Sequence, residues 1–345
     1  MADISVIIPC YNVELYIDRC LSSIVNQTLD LRFLQIICID DGSTDNTLKH
    51  LQEWEAKYPE HLILIPCTVN GRQGMARNIG MQYCNTPWVS FVDADDWLEP
   101  DFFEKMYSIA LQGNCDIVSC DQFRDPSCEL VYLDHRSNGQ KSGLIIIDSI
   151  QSRKSFIAGQ SIAFTACSKL IRTSMLTENQ IVFPENIAYE DYFWGNLLYF
   201  YANRVYILEE YLYHYFVNPS STVLTKNSDH HIDILTISLM EWEEWQRRGF
   251  FDTYREELEF LFLNSCYFIF MKMLVMRYTE PSFSLFQLCR QLVSEHLPNY
   301  HNNIYADKYV TEFHKALLRP LLEPVTYPEF LELTNTAKEY WKYNR

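Results

Sequence analysis

The apolar run Val89-Ser90-Phe91-Val92 ends in Asp93-Ala94-Asp95-Asp96-Trp97. A buried strand followed at once by three carboxylates delivers them to the C-terminal edge of a sheet. Two unit charges ~4 Å apart at an effective dielectric of ~20 repel by about 4 kcal/mol, so such a cluster calls for a cation between its members. Mg2+ and Mn2+ take oxygen ligands and share them with a substrate's phosphates. An Asp-x-Asp also occurs as a solvated loop that caps a helix, and the pair alone does not separate the two readings.

Three further segments carry polar side chains out of a regular element in the same way. The first apolar run leads into Pro9-Cys10-Tyr11-Asn12, where proline is expected to stop the ladder and Tyr11 to emerge at the sheet edge. An aromatic ring there can stack on a nucleobase or serve as an ordinary core tyrosine. The second leads into Asp40-Asp41-Gly42-Ser43-Thr44-Asp45. Gly42 permits a tight turn, Ser43 or Thr44 caps the next helix, and a carboxylate can accept from a pyrimidine N–H or a ribose hydroxyl, or close an Asx-turn. The third is Gly71-Arg72-Gln73-Gly74-Met75-Ala76-Arg77-Asn78-Ile79-Gly80, glycines ahead of a helix that carries Arg77 and Asn78. An arginine at a helix start suits an anion such as diphosphate, and equally a surface salt bridge. Neither Gly-x-Gly-x-x-Gly nor Gly-x-x-x-x-Gly-Lys-Ser/Thr occurs, which disfavours a dinucleotide fold and a P-loop NTPase.

The elements that must hold these residues alternate. Strands are expected at 4–8, 34–39, 61–65, 88–92 and 115–120, with helices at 14–26, from 43 or 44 to about 57, at 73–84 and after Pro100. This predicts an α/β fold: a mostly parallel sheet covered on both faces, binding its ligand outside the carboxyl ends of the strands. Residues 123–160 are less regular, with a turn-rich loop at 138–143. Beyond about residue 228 the pattern becomes long helices rich in Trp, Phe, Tyr and Leu. Two domains follow: a nucleotide-binding domain over 1–225 and a C-terminal helical extension over 226–345. Aromatic stripes at helical spacing read there as core, in a cap over the acceptor side or a dimer contact.

Composition narrows the partners. The chain has 345 residues, 48% of them apolar, and a formal net charge of −17. That length exceeds one average core. That charge argues against nucleic acid and against unaided binding to anionic lipid. Eleven cysteines without a Cys-x-x-Cys pair read as reduced thiols in a cytoplasm. The N-terminal residues carry no basic n-region or cleavage signal and read as a first strand. The apolar stretch 260–276 is interrupted by Asn264 and Lys272 and reads as a core or interface helix. Peripheral contact with the inner face of the cell membrane stays open.

Taken together, Val6 to Asn12, Asp40 to Asp45, Gly74 to Gly80 and Phe91 to Asp101 resemble the inverting family 2 glycosyltransferases of the GT-A fold, of the bacterial polysaccharide type. The resemblance covers about residues 1–220. It implies that Pro9, Tyr11 and Asn12 line the nucleotide pocket and that Tyr11 stacks on the base. It further implies that Asp41 binds the base, that Asp93 binds the ribose, and that Arg77 or Asn78 lines the same pocket. Asp95, with Asp93, would hold Mn2+ or Mg2+ against the diphosphate. Farther on, Glu190-Asp191 opens an apolar helix. Charge favoured by the helix dipole accounts for the pair by itself, while the resemblance gives Asp191 the role of catalytic base, with Glu190 as second candidate. Lys169 matches a basic position of the family that meets phosphate or acceptor, or else lies on the surface. Tyr213-His214-Tyr215 and Ser220-Ser221-Thr222 match a segment near the diphosphate. The family often has arginine where this chain has Phe216. His214 reads as packed rather than as a third metal ligand.

The implied reaction is metal-dependent transfer of a sugar from a nucleoside diphosphate donor, UDP-linked, to a hydroxyl of a glycan or lipid-linked acceptor in cell-envelope polysaccharide biosynthesis. A sugar-nucleotide nucleotidyltransferase would instead carry a glycine-rich first turn with Arg and Lys, which Pro9-Cys10-Tyr11-Asn12 lacks. A catalytically silent nucleotide-sugar-binding scaffold would have no need of both acidic pairs.

Overall fold

β1 (Ile4–Cys10), β2 (Leu34–Asp40), β3 (Leu62–Pro66) and β4 (Trp88–Phe91) form a parallel array in the order β3-β2-β1-β4. Register sets where their ends fall. Cys10 lies opposite Asp40, and Ile7 lies opposite Phe91. Residues 11–12, 41–45 and 93–97 therefore leave three neighbouring strands at one edge. β-branched and aliphatic side chains, among them Ile4, Val6, Ile8, Ile36 and Cys38, are fully buried along these strands. Each large side chain so buried stabilises by roughly 1.5–3 kcal/mol, which fixes the register and hence the site.

The remaining strands make the sheet mixed. β5 (Trp97–Leu98) is followed by β6 (Ile117–Asp125), β7 (Gly143–Ile146), β8 (Lys169–Arg172) and β9 (Arg204–Phe216). β8 runs antiparallel to β4 and β6, β9 runs parallel to β6, and β5 and β7 add antiparallel to β9. The expected mostly parallel sheet is thus parallel in its first half and largely antiparallel in its second. Short pairings such as Trp97 with His214 join residues too far apart in sequence for periodicity to reveal.

Pro9 does not stop the ladder. β1 runs on to Cys10, still paired with β2, and β4 has already left the sheet opposite Ile7. The position without an N–H thus falls on a side that has no partner strand.

The structure is a computed structural model that describes residues 2–134, 136, 137, 139, 141–218, 221 and 224–343. It divides into two compact units, Met1–Arg153 with Ser161–Asn218, and Lys154–Gln160 with Pro219–Arg345. The sequence places the boundary near residue 225; the structure divides after 218 and groups 154–160 with the second unit.

In the first unit, α1 (Ile17–Val25), α2 (Thr47–Lys57), α3 (Arg72–Tyr83) and α4 (Phe102–Gly113) follow the strands, and α6 (Thr173–Glu178) and α7 (Glu190–Tyr201) come later in the chain, while α5 (Ile150–Gly159) begins in the first unit and ends among the residues grouped with the second. α2 starts later than Ser43 or Thr44 would dictate, because Asp45 Oδ1 takes the Thr47 N–H at 2.9 Å. All eleven cysteines are free thiols.

The second unit is helical: α8 (Asp233–Arg247), α9 (Phe251–Phe262), α10 (Phe270–Arg277), α11 (Phe283–His296), α12 (Ile304–Tyr309), α13 (Glu312–Leu322) and α14 (Tyr327–Tyr343). A π-helical turn, Leu263–Ile269, joins α9 to α10. Phe251–Arg277 is long and apolar enough to cross a membrane by composition, with a mean hydropathy of 1.6, yet 72% of its apolar window is buried. Its Phe262 packs against Trp242 and His296 at ring distances of 4.9 and 5.0 Å. The aromatic stripes are core, as their spacing suggests.

Candidate active site

The three carboxylates after β4 take three different positions. Asp96 is buried and accepts hydrogen bonds from the Tyr213 hydroxyl at 2.6 Å and the Phe216 N–H at 2.7 Å. Burial, then the charges of Asp95 and Asp93, push its pKa well above the usual carboxylate range. It staples the turn to β9. Tyr213 completes the staple, its hydroxyl oxygen accepting the Asp93 N–H at 3.1 Å.

Asp95 is partly exposed and accepts from Asn218 Nδ2 at 3.0 Å. Burial and then the charge of Asp93 raise its pKa, against the Asn218 hydrogen bond. Asp93 keeps a quarter of its side chain open (25%) and accepts from Arg77 at 2.8 Å.

Arg19, a buried residue of α1, drew no reading as a site residue from the sequence. Its guanidinium donates to the carbonyls of Asp95 at 2.6 Å and Ser127 at 2.8 Å, and lies 3.9 Å from the Trp97 ring centroid. It also lies 4.7 Å from the Phe216 ring, at the position where arginine is often found in the resembling family. Its signal in the sequence was only an arginine one residue before the apolar Cys20-Leu21.

The second acidic pair is brought to the same sheet edge by one arginine. Arg77, 3% exposed, donates to Glu190 Oε1 at 2.5 Å with one arm and to Asp93 Oδ1 at 2.8 Å with the other. Burial works against its charge, but Asp93 and Glu190 outweigh burial, and its pKa ends above the usual value. A backbone approach makes this reach short. A Cβ at Gly74 would sit 2.1 Å from the Pro184 carbonyl oxygen and 3.1 Å from Glu190 Cγ. Asn78 locks the approach, accepting from the Phe183 N–H and donating to the Phe183 carbonyl, both at 2.9 Å. Phe183 stacks on Trp194 at 4.6 Å.

The chain enters α7 through Tyr189 at φ 64°, a left-handed conformation that a bulky residue adopts only under constraint. Asp191 follows in the first turn. Burial, then the neighbouring Glu190 charge, push its pKa up to about 7, with Asp93 adding and Arg77 opposing. A carboxylate poised there can take a proton near neutral pH.

At the ends of β1 and β2, Tyr11 is 46% exposed, open enough to receive a flat ring. Asp41 is buried; its Oδ1 accepts the Gly71 N–H at 2.9 Å, and burial raises its pKa against the Gly71 and Arg72 N–H groups. Asn12, at φ 52°, accepts the Thr44 N–H at 2.8 Å, and its own N–H donates to Ser43 Oγ at 3.1 Å. The side chains of Asn12 and Asn78, which the resemblance offers for the pocket, hold these loops together.

One further expectation meets a different outcome and another holds. Lys169 lies neither on the surface nor on an exposed anion site. It is fully buried, donates to the carbonyls of Thr165 at 2.6 Å and Cys167 at 3.3 Å, and burial lowers its pKa to about 8. His214 is packed, as expected: its ring lies 4.6 Å from Trp97, with its nitrogens 3.0 Å from Asp125 and 2.9 Å from Glu99. Of the 220–222 segment, Ser220 and Thr222 lie outside the described residues.

Among the described residues, no three His, Cys, Asp or Glu side chains are grouped to hold an ion by themselves. Asp95 and Asp93 offer hard oxygen atoms, and burial together with the Asp93 charge raises the proton affinity of Asp95. That donor set fits Mg2+ or Mn2+, which use one or two carboxylates and complete their shell with phosphates and water.

A sequence model described as "Glycosyl transferase family 2" matches residues 5–178. The chain belongs to glycosyl transferase family 2. Within the family it is 30% identical over 228 residues to the poly(ribitol-phosphate) beta-glucosyltransferase of Bacillus spizizenii, covering 62% of this chain and 32% of that protein. It is 25% identical over 248 residues to the poly(ribitol-phosphate) beta-N-acetylglucosaminyltransferase TarS of Staphylococcus aureus, covering 72% of this chain and 40% of that one. The matched region therefore spans less than half the length of these two relatives. Among solved structures, S. aureus TarS 1–349 superposes with a TM-score of 0.68 at 18% identity, covering 99% of this chain and 92% of that one. The same fragment in complex with UDP-GlcNAc superposes at 0.64. At that identity the match establishes the fold, which is GT-A with a helical C-terminal region.

Proposed function

We propose that this chain transfers a sugar from a UDP-linked donor to an acceptor hydroxyl in a single displacement, with inversion at the anomeric carbon. The observation that carries the reading is the Asp93–Arg77–Glu190 bridge. It ties the carboxylate at the donor edge to the turn that bears Asp191, a base poised near neutrality. Support for UDP comes from the exposed Tyr11 beside Asp41, and from the TarS fragment, whose structure holds UDP-GlcNAc.

In the reaction, Asp191 takes the proton of the acceptor hydroxyl as its oxygen attacks the anomeric carbon. The bond from that carbon to the diphosphate oxygen breaks, and UDP leaves with the electron pair. Asp93 orients the ribose, and Arg77 holds Asp93 and Glu190 in place. Asp95, with Asp93, would hold a Mg2+ or Mn2+ ion, which supplies positive charge against the leaving diphosphate. The names of the two relatives suggest a cell-surface polymer as acceptor. The free cysteines support a reducing, cytoplasmic site of action.

The test is release of the nucleoside diphosphate, UDP or GDP, by the full chain from a panel of UDP- and GDP-sugars, with Mn2+ supplied. Consumption of a UDP-sugar is expected. Consumption of free nucleoside triphosphate with sugar phosphate, and of no nucleotide-sugar, would make the protein a nucleotidyltransferase and overturn the reading.

A further inference from the structure

Next in sequence to Asp191 is one member of an aromatic pair that the reaction does not use. Tyr192, the residue after Asp191, stacks on Phe164 with ring centroids 3.7 Å apart and planes 17° from parallel. Both side chains are only partly buried. A third ring, Tyr189, stands 6.4 Å from Tyr192.

The loop that presents Phe164 is held with unusual care. A Cβ at Gly195 would fall 2.1 Å from the Phe164 carbonyl oxygen, so the loop backbone lies directly on α7. The Tyr199 hydroxyl, from the same helix, donates to the Ile162 carbonyl at 2.5 Å. Lys169 reaches the Thr165 and Cys167 carbonyls from a fully buried position. Gln122 Nε2 donates to Thr165 Oγ1 at 3.3 Å and Ser168 Oγ at 3.2 Å. Burying an ammonium group is unfavourable, and its partners here are carbonyls of this one loop. A loop fixed by four independent contacts holds the partly buried Phe164 ring against Tyr192, the residue after the base, and is built to present that ring.

We propose that Phe164 and Tyr192 form the acceptor subsite and that they select an acceptor whose attacking hydroxyl belongs to a sugar ring. This rests on the transferase reading, since it places the acceptor at Asp191. A pyranose has a face of C–H groups that packs on the electron-rich face of an aromatic ring, while its hydroxyls point outward to the base. A linear polyol phosphate has no such face, and nothing in the stacked pair would hold it.

The experiment uses the full chain, Mn2+ and whichever UDP-sugar it consumes. UDP release is followed with methyl β-glucoside, cellobiose or ribitol phosphate added as acceptor. Pyranosides should accelerate release and yield a glycoside, and ribitol phosphate should not. Phe164→Leu and Tyr192→Leu should each raise the pyranoside KM about tenfold with the donor KM unmoved. Circular dichroism establishes that the variants fold, and leucine is chosen because it fills most of the ring's volume. Acceleration by ribitol phosphate alone, by no pyranoside, or an unchanged pyranoside KM in both variants overturns the proposal. Absence of donor consumption in the wild type would overturn the transferase reading beneath it, which distinguishes the two failures.

Discussion

Asp191→Asn removes the titrating group and keeps the shape. The folded carboxyl is held at about 7 against an ordinary 3.8. That rise of about three units weighs at most ~4 kcal/mol against the ionised form. The side chain is partly open to water, and screening brings the penalty to about 1–2 kcal/mol. Because the folded pKa is raised, the group's contribution to stability is fully present below its unfolded value near 4. It is lost as pH climbs through 7. The amide is neutral throughout. The variant should melt about 2–8 °C above wild type at pH 8, and much closer to it at pH 5. Turnover should move the other way, falling by about 10²–10⁴. Wild-type kcat should rise with pH through about 7 and then level. Scanning fluorimetry at both pH values and UDP release across pH check these together. A variant that melts below wild type at pH 8, or that keeps wild-type turnover, would refute the assignment of Asp191 as a strained base.

Arg77→Met leaves two carboxylates without the cation that bridges them and should destabilise the unit that holds them by about 3 kcal/mol, read from denaturant unfolding. Adding Glu190→Gln should recover part of that loss, and a strictly additive double variant would mean that the ion pair is not coupled. Gly74→Ala tests the close approach. In a helix interior the change ordinarily stabilises by about 1 kcal/mol. Here the new methyl meets a backbone oxygen at 2.1 Å, so the sign should reverse to a loss of about 2 kcal/mol, with lower turnover because Glu190 and Asp191 move. A gain in melting temperature would show that the 184–190 segment yields freely.

The strand ends were legible because each is a continuous apolar run closed by polar residues, and register then dictates one edge. Residues 11–12, 41–45 and 93–97 meet there for that reason alone. What the sequence concealed were the partners. Arg19 drew no reading, and Tyr213 was noted only within a segment that the resemblance sets near the diphosphate; pairing across the fold is what turns both onto the Asp93–Trp97 turn. Asn12 and Asn78 have side chains suited to a ligand as well as to a loop, and type alone does not decide between the two. Lys169 misled for the opposite reason. A lysine at the head of a strand looks solvent-facing, and its full burial depends on a loop folding back over it. The antiparallel half of the sheet was hidden because β5 has two residues and β8 has four, too short for a period to register.

The most direct test of the central claim is calorimetric titration of UDP into the full chain, with Mn2+ present and after chelation. Saturable UDP binding that needs the metal is expected, lost in Asp95→Asn and retained in Asp191→Asn. UDP binding that ignores both the metal and Asp95, or no binding under any condition, would contradict it.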